Sequence, residues 1–284
     1  MPITFNQALT TECKFSEWTI SNKSRAKLIE VIAYLYLRQE ENAQRVIDAL
    51  EPRPRVSKGR VAENVVRKLT APRAEDVELL QSGTATERKA ASKRIKTSII
   101  HRDGLLFQYI SWVAARLELP NGYMTSPHVR QADKGFDGFI IELDKSVREI
   151  KRIVLCEDKA SKSPRNLITS SVWSEIETLR RGDRDDEILA ELVTLLKSVP
   201  GIDAEEAVDE IFWEGAREFR VAVATGENRR SAGSFLHIIA GFKTVAGGEL
   251  EARMAGVLAF KDVRTGLDLL AREVAAKVEE IANV

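Results

Sequence analysis

Two short apolar runs close together, Phe136 to Leu143 (FDGFIIEL) and Arg152 to Lys159 (RIVLCEDK), constrain this chain more than any other feature. Both are apolar and β-branched, the pattern of strands, and the stretch between them, DKSVREIK, is polar and charged like a hairpin connection. Helical patterns flank the pair. Residues 103–118 (DGLLFQYISWVAARLE) set Leu105, Leu106, Tyr109, Ile110, Val113 and Leu117 at helical spacing and stop at Pro120-Asn121-Gly122. Helical patterns resume over about 167–197, and a third strand is expected at 218–224 (EFRVAVA), closed by Gly226. The segment 234–242 suits helix or strand, and 265–282 reads as an amphipathic helix on Leu267, Leu270, Val274, Val278 and Ile281. Helix, paired strands, helix and strand in this order imply an α/β or α+β layer, with helices against a mixed sheet.

The first hundred residues read as helical. The run from Lys27 to Leu37 has helical spacing and continues towards Val46, Ile47 and Leu50, before Pro52 and Pro54 stop it. Shorter helical patterns lie around 60–69 and 74–81, and 85–100 is basic and Ala-rich. The expected organisation is a helical N-terminal region over 1–99 and an α/β domain over 100–284.

Composition excludes some classes. With 44% hydrophobic and 30% charged residues in 284, the chain has the make-up of a folded protein rather than a disordered one. No run of 18 or more apolar residues occurs, so neither a membrane span nor a membrane partner is expected. No secretory leader is visible, and two cysteines, Cys13 and Cys156, cannot build a disulfide framework, so a cytoplasmic setting is expected. The net charge of zero would argue against a nucleic-acid partner, but the charge is unevenly spread. Residues 52–102 carry 13 Lys/Arg against 5 Asp/Glu, whereas 174–218 carry 5 against 14. A basic surface and an acidic one can both hide within a net charge of zero; solvated helical faces explain the pattern equally well.

Three residues in the strand pair have types that suit chemistry. Asp137 stands near the start of the first run, and Glu157 and Lys159 near the end of the second, about twenty residues later. Side chains alternate along a strand, so Glu157 and Lys159 share a face while Cys156 and Asp158 take the other. Antiparallel pairing would set Asp137 beside Glu157. Two adjacent carboxylates repel unless a cation neutralises them, and a hard divalent cation favours a few carboxylate oxygens with water and phosphate beside them. A neighbouring lysine can orient a water or stabilise charge developing on phosphorus.

The element order, the GFDGFII strand and the VLCEDKA strand resemble the PD-(D/E)xK restriction-endonuclease-like superfamily, over about 100–225. The resemblance implies a mixed sheet flanked by helices and a nuclease that hydrolyses DNA phosphodiester bonds. It further implies Asp137 and Glu157 as Mg²⁺ ligands (Mn²⁺ substituting) and Lys159 as the residue assisting the attacking water. The backbone carbonyl of Asp158 is implied as a further ligand. Families of this kind often carry an acidic residue on the helix before the sheet; here that helix offers Gln108 or Glu118, which favours one metal over two. Phe136 stands where the motif has proline. More narrowly, the helical N-terminal region followed by FDGFII…LCEDKAS is similar to the nuclease subunits of Hachiman-type anti-phage systems (the HamA group). That similarity implies defence against phage and a helicase subunit as partner.

Basic residues near these runs are candidate nucleic-acid contacts: Lys162 and Arg165 directly after the motif, with Asn166, and Arg229 and Arg230 in the loop GENRRSAG. A polar turn entering a helix explains the first group equally well. His101-Arg102-Asp103 matches a kinase catalytic-loop triplet but has no Gly-rich loop, DFG or APE with it, so chance explains it better. His128 and His237 are isolated, Trp112 and Trp173 read as core, and Cys156 reads as a buried thiol rather than a nucleophile. The expectation is thus a metal-dependent DNA nuclease acting in anti-phage defence or restriction. The alternative is a catalytically inactive nuclease-fold module that binds a partner protein through its acidic stretch.

Overall fold

The computed structural model describes residues 1–57, 59–127, 137–144, 150–199, 202–204, 217–227 and 232–283. Seven strands form one mixed sheet: β1 (Thr4–Leu9), β2 (Lys14–Thr19), β3 (Tyr123–Met124), β4 (Gly138–Leu143), β5 (Ile150–Ala160), β6 (Arg217–Gly226) and β7 (Arg253–Phe260). Their spatial order is β1-β2-β7-β6-β5-β4-β3. The inner strands β2, β7, β6 and β5 run parallel, and the antiparallel strands β1 on one side and β4 with β3 on the other complete the sheet. The expected α/β class with a mixed sheet is what the chain adopts.

Helices cover both faces. On one side lie α1 (Asn22–Tyr36), α2 (Glu40–Ile47), α3 (Val61–Leu69), α4 (Ala74–Ser82) and α5 (Ala85–Glu118). On the other lie α6 (Pro164–Leu167), α7 (Trp173–Arg181), α8 (Asp185–Leu196), α9 (Ala232–Ile238) and α10 (Phe242–Ala246), while the last helix, α11 (Val263–Ala282), returns to the first side. Leu28, Ile32, Leu106, Ile110, Leu267 and Val274 pack over Ala222, Ala224 and Leu258 of the sheet. Trp173, Ile176, Leu192 and Phe242 pack over Phe139, Leu155, Val221 and Val257. Double coverage explains why the centres of β5, β6 and β7 read as near-continuous apolar runs.

Helix α5 shows how local signals and burial combine. It opens on a capping box, in which Thr84 N–H donates to Glu87 Oε2 (2.7 Å) and Glu87 N–H donates to Thr84 Oγ1 (3.4 Å). Its 34 residues span about 50 Å, and only the second half, from Arg102 onward, is largely buried against the sheet. The basic segment 85–100 and the apolar segment 103–118 are therefore one continuous helix, and the boundary expected at 99–100 falls inside it.

The N-terminal region departs from an all-helical reading. It begins with the β1–β2 hairpin, and β2 pairs in parallel with β7, so the first twenty residues complete the central sheet. Strand β7 carries Gly256 in the middle of its apolar run, and a strand glycine often marks close approach by another group. Here that group is Trp18: a Cβ on residue 256 would lie 2.1 Å from Trp18 Cζ2. The Trp18 ring is buried, tilted against Phe107 at 6.3 Å between centroids, with the Arg220 guanidinium 5.0 Å above it. Gly256→Ala is accordingly expected to cost about 1–3 kcal/mol by overpacking. Urea unfolding measures this, and a loss below about 0.5 kcal/mol would show that the indole moves aside freely.

Candidate active site

The β4–β5 ladder carries the candidate residues to one place. Its register pairs Gly138 with Cys156 and Ile140 with Val154, and Asp137 N–H donates to Cys156 O at 3.1 Å. Asp137, at the start of β4, is thereby level with the end of β5. Its Oδ2 accepts from Lys159 Nζ at 2.9 Å and from the Asp158 backbone N–H at 2.8 Å. Lys159 Nζ also donates to Glu157 Oε2 at 2.7 Å. One ammonium group thus bridges two carboxylates.

Alternation along β5 sorts its residues as its period of two requires. Ile153 and Leu155 pack under α7, Val154 and Cys156 under the end of α5, and Asp158 follows the second pair. The Asp158 carboxylate accepts from Ser111 Oγ of α5 at 2.5 Å and lies 3.9 Å from the Arg220 guanidinium, which itself donates to Ser111 Oγ at 2.7 Å. Helix α5 also braces Asp137, whose Oδ1 accepts from Gln108 Nε2. Of the two helix candidates, Gln108 meets Asp137. Glu118 lies elsewhere, 3.6 Å from Arg220.

Burial and like charge set the electrostatics. Glu157 is pushed up to about 7 by burial and by the Asp137 charge, against the opposing pull of Lys159. Asp158 is likewise raised to about 7, by burial first, with Arg220 opposing and Asp137 adding to the rise. Burial alone would lower the Lys159 ammonium, but Asp137 and Glu157 outweigh it and hold the group above the ordinary lysine range. Between about 4.5 and about 7 the folded protein therefore keeps a proton on Glu157 that the unfolded chain has released. A raised carboxyl contributes stability at low pH and loses it as pH rises through that window. Without divalent cation, Glu157→Gln is expected to gain stability relative to wild type between about pH 5 and pH 7.5. Denaturant unfolding at the two pH values measures this; a constant difference would refute the raised acid.

Asp137 and Glu157 are the two carboxylates that a hard divalent cation would use here. Asp137 Oδ2 and Glu157 Oε2 converge on the Lys159 ammonium, and the Asp137, Glu157 and Lys159 side chains keep 15%, 8% and 23% exposure. Among the described residues, no group of three or more His, Cys, Asp or Glu side chains is arranged to hold a metal.

The surrounding basic residues have separate placements. Lys162 Nζ lies 3.0 Å from Asp262, and Arg165 Nη1 donates to the carbonyls of Ile238 (3.2 Å) and Ala240 (2.6 Å), a brace between α6 and the end of α9. Arg229, Arg230, Phe136 and His128 lie outside the described residues. Cys156 is buried and its thiol pushed up to about 12 by that burial, which suits a structural thiol rather than a nucleophile. Part of the acidic stretch is neutralised locally, with Arg184 pairing Glu175 and Glu187, and Arg217 lying 2.9 Å from Asp185. Ser111 and Arg220 were not anticipated. The signal available was a charge in the middle of an apolar strand, Arg220 in EFRVAVA, which needs a buried partner. Among the described residues no helix is long and apolar enough to cross a membrane. No protein-family model matches the chain, and a search of curated proteins found no match either.

Proposed function

We propose that this chain is a metal-dependent nuclease with a restriction-endonuclease-like core, hydrolysing DNA phosphodiester bonds at Asp137, Glu157 and Lys159. The observation that carries this reading is the Lys159 ammonium group held between the carboxylates of Asp137 and Glu157 at the end of the β4–β5 ladder. Asp137 and Glu157 would hold Mg²⁺ or Mn²⁺. Such an ion, when bound, polarises a phosphoryl oxygen and lowers the pKa of a bound water. Lys159 donates hydrogen bonds to the attacking water or to the phosphoryl oxygens, where negative charge grows in the transition state. Gln108 and the Asp158 N–H hold the two Asp137 oxygens in place, and Ser111 fixes Asp158 from behind. A role in anti-phage defence beside a helicase subunit rests on the narrower resemblance alone.

The test is nicking of supercoiled plasmid in Mg²⁺ or Mn²⁺ by the wild-type chain and by Asp137→Ala. Cleavage by the first and not the second supports the enzyme. Absence of cleavage by the wild type, both alone and with a helicase partner supplied, would favour a non-catalytic module.

A further inference from the structure

We infer that Lys89, Lys93 and Lys96, on the part of α5 that extends past the sheet, hold the phosphate backbone of a DNA duplex whose scissile bond lies at Asp137 and Lys159. The inference rests on the nuclease reading of that site and adds a second, separate contact to it.

Helix α5 runs along β5 in the opposite direction. Towards its C-terminus Ala115 packs with Val154 and Cys156. One turn earlier Ser111 Oγ donates to Asp158 at 2.5 Å, and Gln108 Nε2 donates to Asp137. Followed backwards, the helix therefore passes along β5 to the candidate site and continues beyond it. Residues 85–100 form that continuation, and among them only Ala91 is buried.

Helical phase tells which way the lysines face. At about 3.6 residues per turn, eighteen residues make about five whole turns. Lys89, Lys93 and Lys96 therefore share a side of α5 with Phe107, Ser111 and Ala114 respectively. All three of these are buried; Phe107 lies against Trp18 of β2, and Ser111 holds Asp158. The lysine side is thus the sheet-facing side, carried past the end of the sheet where the candidate site lies. At about 1.5 Å per residue, Lys96 stands about 18 Å along the axis from Gln108, and Lys89 about 28 Å. At about 3.4 Å between phosphates, those lengths are about five to eight base steps from the reacting phosphate.

The row is open to an anion. Its i, i+4, i+7 spacing makes a stripe about 60° wide. All three lysines are exposed, and among the described residues none has an ion-pair partner. Nearby carboxylates are turned elsewhere. Glu87 is held in the capping box with Thr84, and Asp76 of α4 accepts from Arg94 Nε at 2.7 Å. Glu87 and Arg94 lie about 130–150° round the helix from the middle of the stripe, so α4, with Glu75 and Glu78, covers the far side. Single exposed lysines are ordinary on helices. Three on one stripe, overhanging the site, match the regular charge of a duplex, which they would hold by its phosphates without reading its bases.

The experiment measures binding of a fluorescent DNA duplex of about 25 base pairs, long enough to reach both places, in EDTA against salt concentration. Lys89→Gln/Lys93→Gln/Lys96→Gln should reduce the salt slope by about 2–3 and weaken binding at least about tenfold, with an unchanged melting temperature. Lys89→Arg/Lys93→Arg/Lys96→Arg keeps the charges and should keep both affinity and slope. Lys151→Gln/Lys197→Gln/Lys243→Gln removes three exposed lysines from other elements and should change affinity by no more than about twofold. Three outcomes overturn the contact: wild type does not bind the duplex, the α5 glutamine variant keeps wild-type affinity and slope, or the variant on other elements loses as much. Failure of the nuclease reading is seen separately, as absence of metal-dependent cleavage, a step that binding in EDTA does not involve.

Discussion

Replacing Lys159 with Ala is expected to slow metal-dependent phosphodiester cleavage by about 10²–10³-fold, the usual effect of removing one preorganised donor from a site where charge develops. The side chain is held by two carboxylates at 2.9 and 2.7 Å, so its position is set before any substrate arrives. That preorganisation is what makes a donor worth more here than in water. The loss should fall on kcat with little change in KM, because the interaction strengthens only as the transition state forms. Lys159→Arg keeps the charge but changes its shape and reach, and should recover only part of the rate. Removing Lys159 also leaves Asp137 and Glu157 without their shared counter-charge, so the melting temperature of the metal-free variant must be measured beside its activity. Single-turnover cleavage of a labelled duplex in excess Mg²⁺ is the readout. Wild-type kcat in a folded Lys159→Ala protein would remove Lys159 from the chemistry.

The second large effect concerns stability. Asp103→Ala is expected to cost about 3–5 kcal/mol, since removing one partner of a buried ion pair strands the other. Asp103 is fully buried and accepts from Arg102 Nε (3.0 Å), Arg102 Nη2 (2.7 Å) and Arg264 Nη1 (2.6 Å). Arg102, equally buried, also donates to Ala71 O at 2.9 Å and pairs with Asp268. The knot joins the middle of α5 to α11 and to the segment leading into α4. Arg102→Met/Asp103→Leu, which removes both charges, should be far less damaging than the single change. Equilibrium unfolding in urea decides this; a loss under about 1 kcal/mol for Asp103→Ala would mean that water reaches Arg102 once its partner is gone. Arg102 and Asp103 of the His101-Arg102-Asp103 triplet are thus a structural joint between helices.

What the amino-acid sequence determined by itself is the local geometry around the site. The two apolar runs form adjacent antiparallel strands. The period of two then sends Glu157 and Lys159 to one side and Asp158 to the other. The terminal amphipathic helix and the helix before the strands were legible for the same reason, since each pattern is written within a window shorter than the element itself. The tertiary structure decided whatever depends on which distant surfaces meet. Strand β2 lies beside β7 from the opposite end of the chain, and Gly256 makes sense as a strand residue only once Trp18 rests upon it. Nothing within α5 says that Gln108, rather than Glu118, turns towards Asp137; that depends on how the helix is rotated against the sheet. Arg165 reads as a substrate contact from its place in the sequence, yet folding gives it two backbone carbonyls to hold. Alternation is a property of each residue's own backbone, whereas remote pairing reflects which apolar surfaces can be buried together, and that balance is struck by the whole chain at once.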